Sequence, residues 1–131
     1  MQNACTYLGI EIDEVLSWNK QIQNVSLKLA RANSILSKLR HFVPRKTCIS
    51  VYYAIFYSHL IYGSTLWSFS SSSNISKLAK IQKSCLRILT FANIRDHTEP
   101  LFKELQLMKI DDIITSQKFM LMYDALKGTL P

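Results

Sequence analysis

Ile22, Val25, Leu29, Ala32, Leu36 and Leu39 follow one another at spacings of 3, 4, 3, 4 and 3 residues. That rhythm lines one face of an α-helix, whereas in a strand it would scatter the same side chains over both faces. It predicts an amphipathic helix from Trp18 to His41 with Ser17 as its N-cap. Pro44 stops this helix and suits the first turn of a second, from Arg45 to Gly63 or Trp67. In that second helix Val51, Tyr52, Ala54, Ile55, Phe56, Leu60 and Ile61 leave no clean polar face, which places it at the centre of the core. His59, among Tyr57, Leu60 and Tyr62, reads as a hydrogen-bonded packing residue rather than a ligand.

Ser68 to Asn74 is a serine-rich connection whose last residue can cap a third helix, Ile75 to Phe91. Its buried side is Ile75, Leu78, Ala79, Ile81, Cys85, Leu86, Ile88 and Leu89. Thr98 caps a short helix through Pro100 and Leu105, and Asp111 and Asp112 open a last one carrying Ile113, Ile114, Met120, Leu121 and Leu126 up to Gly128. Ahead of all these, Thr6 to Asp13 alternates like a β-strand, and a lone strand needs a partner outside the chain or on a second copy. Only three Gly and three Pro occur in 131 residues, well under ordinary usage, which argues against turn-rich β architectures. The expected fold is mainly α: a helical bundle of about four to five helices with one short N-terminal β-strand.

Charge is distributed unevenly. The 81 residues from Val15 to Arg95 hold twelve Lys and Arg and no acid, while the remaining 50 hold four bases and nine acids. Solvated surfaces ordinarily mix the signs, so an acid-free stretch of this length points to a phosphate backbone as partner. At about 100° per residue Lys20, Arg31 and Lys38 fall within about 20° of one another on the first helix, with Lys28 within about 80°. Lys77, Lys80, Lys83 and Arg87 span an arc of about 120° on the third.

No chemistry-bearing constellation accompanies these bases. Cys5, Cys48 and Cys85 are too far apart for a CxxC-type ligand set, and the three glycines are scattered rather than gathered in a phosphate loop. Asp111 and Asp112 are adjacent, so at a helix start they point apart and serve the dipole rather than a metal. The expectation is no catalytic residue, no metal site and no cofactor. The longest apolar run, Cys48 to Trp67, is interrupted by Ser50, Ser58, His59, Gly63, Ser64 and Thr65, so no membrane partner is expected. Unpaired thiols and the lack of a signal-like N-terminus lead to an intracellular expectation, nucleus or cytoplasm.

Taken in order, YLGIEIDEVLSW (7–18), LRHFVP (39–44), YYAIFYSHLIYGSTLW (52–67), KIQKSCLRILT (80–90) and RDHTEPLFKEL (95–105) resemble the region after the catalytic palm in reverse transcriptases of non-LTR, jockey-type retrotransposons. The likeness runs from Thr6 to about Leu130. It implies that residues 1–14 are a remnant palm strand, 15–94 a basic thumb-like bundle, and 95–131 a C-terminal helical segment packing on that bundle. It also implies a truncated piece of an RNA-directed DNA polymerase, not an enzyme on its own, because the family's aromatic-Xaa-Asp-Asp motif lies upstream of the matching region. The expected partners are an RNA–DNA hybrid or duplex held without sequence preference, the missing palm and fingers, and a second copy joined through the N-terminal strand. Lys77, Lys80, Lys83 and Arg87 are the first choice of nucleic-acid contacts, then Lys20, Lys28, Arg31 and Lys38. The alternative is an inert remnant or a helical interaction module presenting Tyr52, Tyr53, Tyr57, Tyr62, Trp67 and Phe69 to a protein.

Overall fold

The 3–4 rhythm of the first helix is realised in α1 (Asn19–Leu39), which buries Ile22, Val25, Leu29, Ala32 and Leu36 along one stripe. The structure, a computed structural model, describes residues 4–8, 10–13, 18–62, 64 and 71–128. Within them the chain continues through α2 (Arg45–Tyr52), a π-helical turn (Tyr53–Tyr57) and α3 (Ser58–Ile61), which form one unbroken helical run. Then come α4 (Ser72–Thr90), α5 (Glu99–Leu105) and α6 (Ile110–Lys127). The mainly α bundle is as the sequence indicates.

The N-terminal strand is folded back on itself. β1 (Ala4–Tyr7) and β2 (Ile10–Asp13) pair antiparallel, with Tyr7 opposite Ile10 and Ala4 opposite Asp13. The single strand expected over Thr6–Asp13 is therefore corrected to a hairpin, in which each strand supplies the hydrogen bonds of the other's inner edge and the two outer edges face away from the pair. Leu8 turns the chain with φ 51°, and its carbonyl accepts a hydrogen bond from the Tyr62 hydroxyl, which ties the hairpin to the end of α3. Ile10 is buried against the bundle.

The π turn explains the second helix. Its buried residues are Cys48, Tyr52, Phe56 and Leu60, spaced 4, 4 and 4. In a regular α-helix each four-residue step overshoots a turn by about 40°, so this row would wind off the core. A wider turn with i→i+5 hydrogen bonds at Tyr53–Tyr57 absorbs the excess and keeps the row facing inward. Tyr52 and Phe56 stack with centroids 5.1 Å apart. The helix does have a solvent side, where Tyr53, Ala54, Ser58 and His59 are exposed. His59 is thus a surface residue and not a packing one.

α1 and α4 run parallel. Asn74 Nδ2 donates to Asn19 Oδ1 (2.7 Å), Asn33 Nδ2 to the Ile81 carbonyl (3.2 Å), and Arg40 Nη1 to the Ile88 carbonyl (3.1 Å), so the links ascend both helices together. Several caps differ from expectation. Trp18 precedes α1 in a left-handed conformation, and Ser17 lies outside the described residues. Ser71 caps α4 by accepting from the Asn74 N–H, which frees the Asn74 side chain for its bond to α1. Thr98 occupies the N-cap position of α5 without a side-chain cap bond. Gly128 ends α6 at φ 69°.

Phe102, Leu105, Leu107, Ile110, Ile113 and Ile114 enter the same core as α1, α2 and α4. Cys48 and Cys85 are buried in it, and burial pushes the Cys85 thiol up to about 12. At pH 8 such a thiol holds roughly three orders of magnitude less thiolate than an ordinary one. In a thiol-reagent titration of the native protein, exposed Cys5 is expected to react promptly, and Cys48 and Cys85 only after denaturant is added. Three prompt thiols would contradict this core.

Candidate nucleic-acid interface

The two basic helices owe their surfaces to the packing just described. α4 is held on one side by α1 and on the other by α5 and α6, so its remaining arc faces solvent and carries Lys77, Lys80, Lys83 and Arg87. Lys77, Lys80 and Lys83 are exposed, whereas Arg87 is half-buried and donates from Nε and Nη2 to the Asp96 carbonyl (3.2 and 3.1 Å). Arg87 therefore holds the turn after α4 in place as well as adding charge. Lys83 stands at the rim of a cleft lined also by His97, Thr98, Glu99, Lys109 and Asp111. Packing of α5 and α6 thus brings two carboxylates beside a base whose own helix carries none, which a linear count of charges does not reveal.

On α1, Lys20, Lys28, Arg31 and Lys38 are all exposed. The side of α1 toward α4 carries Asn19, Asn33 and Arg40, and Lys77 lines a depression with Asn19, Gln23 and Ser26. By helical geometry Gln23, Ser26, Ala30 and Ser37 lie between that side and the bases. On α1 an uncharged strip therefore lies between the bases and the side that meets α4, and Lys77 of the other stripe borders it. The ion pairs Arg45–Glu104 (2.8 Å) and Lys109–Glu99 use none of the eight bases.

The Lys109 ammonium, hydrogen-bonded to Glu99, holds that carboxyl below the usual carboxylate range, with Lys103 and Lys83 adding to the effect. A depressed carboxyl contributes stability that is complete above its unfolded value and is lost as pH falls through the folded one. Replacing Glu99 by glutamine is therefore expected to flatten the acid limb of the stability curve slightly, measurable by urea unfolding between pH 5 and 3. An unchanged limb would mean that the pair is too solvated to register.

Sequence reasoning missed Gln82. This side chain, 1% exposed, accepts from the Ile110 N–H (2.9 Å) and donates to the Met108 carbonyl (2.9 Å) and the Tyr52 hydroxyl (3.3 Å). A lone polar residue on an otherwise apolar face was its only signal. Burial raises the Tyr52 pKa, keeping that hydroxyl neutral.

The aromatic surface considered for a protein partner is not continuous, since Tyr52 is buried in the core while Tyr53 and Tyr62 are exposed; Trp67 and Phe69 lie outside the described residues. Exposed apolar surface is instead concentrated on the second half of α6, at Phe119, Met120, Leu121, Met122, Tyr123 and Leu126. Of the last helix only Ile110, Ile113 and Ile114 are buried, and Met120, Leu121 and Leu126 are exposed. Among the described residues no three His, Cys, Asp or Glu side chains gather where a metal could sit, and no helix is long and apolar enough to cross a membrane.

The class of molecule so defined is a helical bundle with two cationic faces. In sequence, over 123 residues, 89% of the chain, it is 25% identical to the RNA-directed DNA polymerase from mobile element jockey of Drosophila melanogaster. The resemblance to a jockey-type, reverse-transcriptase-like region stands on that relationship. The matched stretch is 13% of that protein's length. No protein-family model matches the chain, and no solved structure does.

Proposed function

We propose that this chain is a thumb-like region of a non-LTR retrotransposon reverse transcriptase, which holds template-primer nucleic acid through its phosphate backbone and has no catalytic centre of its own. The observation that carries this reading is the set of eight bases on α1 and α4, drawn from a stretch of sequence without a single acid. Backbone binding needs mobile, solvent-facing cations that read charge rather than sequence, and exposed lysines on rigid helices meet that need. The jockey relative, by its name an RNA-directed DNA polymerase, supports the same direction.

Fluorescence anisotropy with an RNA–DNA hybrid of arbitrary sequence, titrated at several salt concentrations, tests it. Log affinity is expected to fall linearly with log salt, each phosphate contact adding about 0.9 to the slope. Binding that ignores salt would replace this reading with a second one, a protein-interaction module. What favours that alternative is the exposed apolar half of α6.

A further inference from the structure

The turns that close α1 and α4 meet at one end of the bundle, because the two helices run parallel. There Phe42 is 84% exposed, Phe91 57% and Ile94 88%. Single exposed apolar residues are ordinary, but Phe42 and Phe91 sit on turns that touch, since His41, next to Phe42 in sequence, meets the Phe91 ring. The Arg40 guanidinium lies over one face of the Phe91 ring, 4.4 Å from its centroid, and the His41 ring meets Phe91 edge-on at 5.7 Å. Arg40 also donates to the Ile88 carbonyl, so its position is fixed and it fixes the ring in turn.

We infer that Phe42 and Phe91 form a stacking platform for unpaired bases of a single-stranded nucleic acid, flanked by cations for its phosphates. This rests on the nucleic-acid reading above but differs from it in chemistry, since stacking addresses bases and not a duplex backbone. Charge selects the occupant. Lys38, Lys46 and Arg95, each four residues along the chain from one of the rings, are exposed, while two acids are engaged: Glu104 by Arg45, and the Asp96 carboxylate by the Asn93 N–H (2.8 Å). An aromatic patch ringed by cations is the arrangement that binds single strands without sequence preference, because every base offers a π-face and every nucleotide a phosphate.

The backbone at Phe91 points the same way. This residue ends α4 in a left-handed conformation (φ 58°), a position where glycine is the usual occupant, and the Ala92 N–H closes the cap on the Arg87 carbonyl (3.0 Å). A phenylalanine there is unfavourable for the fold, yet its ring is turned out to solvent.

That conformation also supplies a clean test, since Phe91→Gly removes the ring while relieving the backbone. The double variant Phe42→Ala/Phe91→Gly of the full chain would be compared with wild type for a 12-nucleotide single-stranded DNA carrying 2-aminopurine and for a blunt RNA–DNA hybrid. Wild type is expected to bind the single strand and quench 2-aminopurine. The variant, equally stable to urea, is expected to lose at least tenfold in single-strand affinity and all quenching, with hybrid binding unchanged within twofold. Equal losses on both probes, or no loss on the single strand, would overturn the platform and leave the backbone reading intact. Ring-dependent single-strand binding without hybrid binding would keep the platform and remove the duplex reading. Failure of wild type to bind either probe overturns both, and a change in sedimentation on removing the rings would make this face a contact between copies of the chain.

Discussion

A chain in which Lys77, Lys80 and Lys83 are replaced together by glutamate is expected to bind an RNA–DNA hybrid several hundredfold more weakly at 0.1 M salt. Three lost phosphate contacts at about 0.9 log unit each give about 2.7 log units, and the salt slope should fall by about the same 2.7. Arg87 is best left in place, since its two bonds to the Asp96 carbonyl hold the turn that follows α4. The three lysines are exposed, so helicity and urea midpoint should change little. Reversal of Lys103 and Lys127, on the C-terminal helices, is expected to cost less than threefold, where affinity that followed net charge alone would lose about two-thirds of the 2.7 log units. Equal losses per reversed charge from the two sets would show that affinity follows net charge rather than the α4 face.

Gln82→Leu is expected to destabilise the fold by about 3 kcal/mol, because it strands the Met108 carbonyl and the Ile110 N–H in the core at about 1–3 kcal/mol each. The melting temperature should drop by roughly 10 °C for a domain of this size. Gln82→Glu separates hydrogen bonding from simple volume. Its carboxylate can accept from Ile110 but cannot donate to Met108, and burial would raise its pKa. A raised carboxyl binds a proton in the folded state first, so this variant should regain stability relative to wild type as pH falls from 7 toward 5. A leucine variant within 1 kcal/mol of wild type, or a glutamate variant with no such pH dependence, would remove Gln82 from its place as the joint between α4 and the C-terminal segment.

The helices were legible because their apolar spacing is redundant: no single residue of the Ile22–Leu39 series decides the reading. What escaped depends on one residue or on contacts far apart in sequence. The hairpin turns on Leu8 taking a positive φ before Gly9, and a continuous alternation of apolar residues hides that reversal. The π turn is likewise masked, since a row spaced 4, 4, 4 resembles a helix periodicity that is merely imperfect. For the candidate interface, seven of the eight bases nominated from the sequence are exposed and Arg87 is half-buried, but their grouping was not legible. Whether two stripes merge is set by the direction in which α1 and α4 cross, and that is fixed by Asn19–Asn74, Asn33–Ile81 and Arg40–Ile88, pairs 48 or more residues apart.

Those same pairs impose an order of assembly. A helical protein usually folds fast because its contacts are local, but here the principal helix pair must wait for an intervening helical run to turn back across it. Closing a loop of 48 residues costs about 2 kcal/mol more in chain entropy than closing one of four. During synthesis α1 would leave the ribosome with part of its apolar stripe uncovered until α4 emerged, the rest being met earlier by the hairpin and the α2–α3 run, and Gln82 would stay unsatisfied until Met108 and Ile110 followed. The nascent chain therefore gains its stability late and in one step, a dependence that chaperone binding to arrested chains of increasing length would trace.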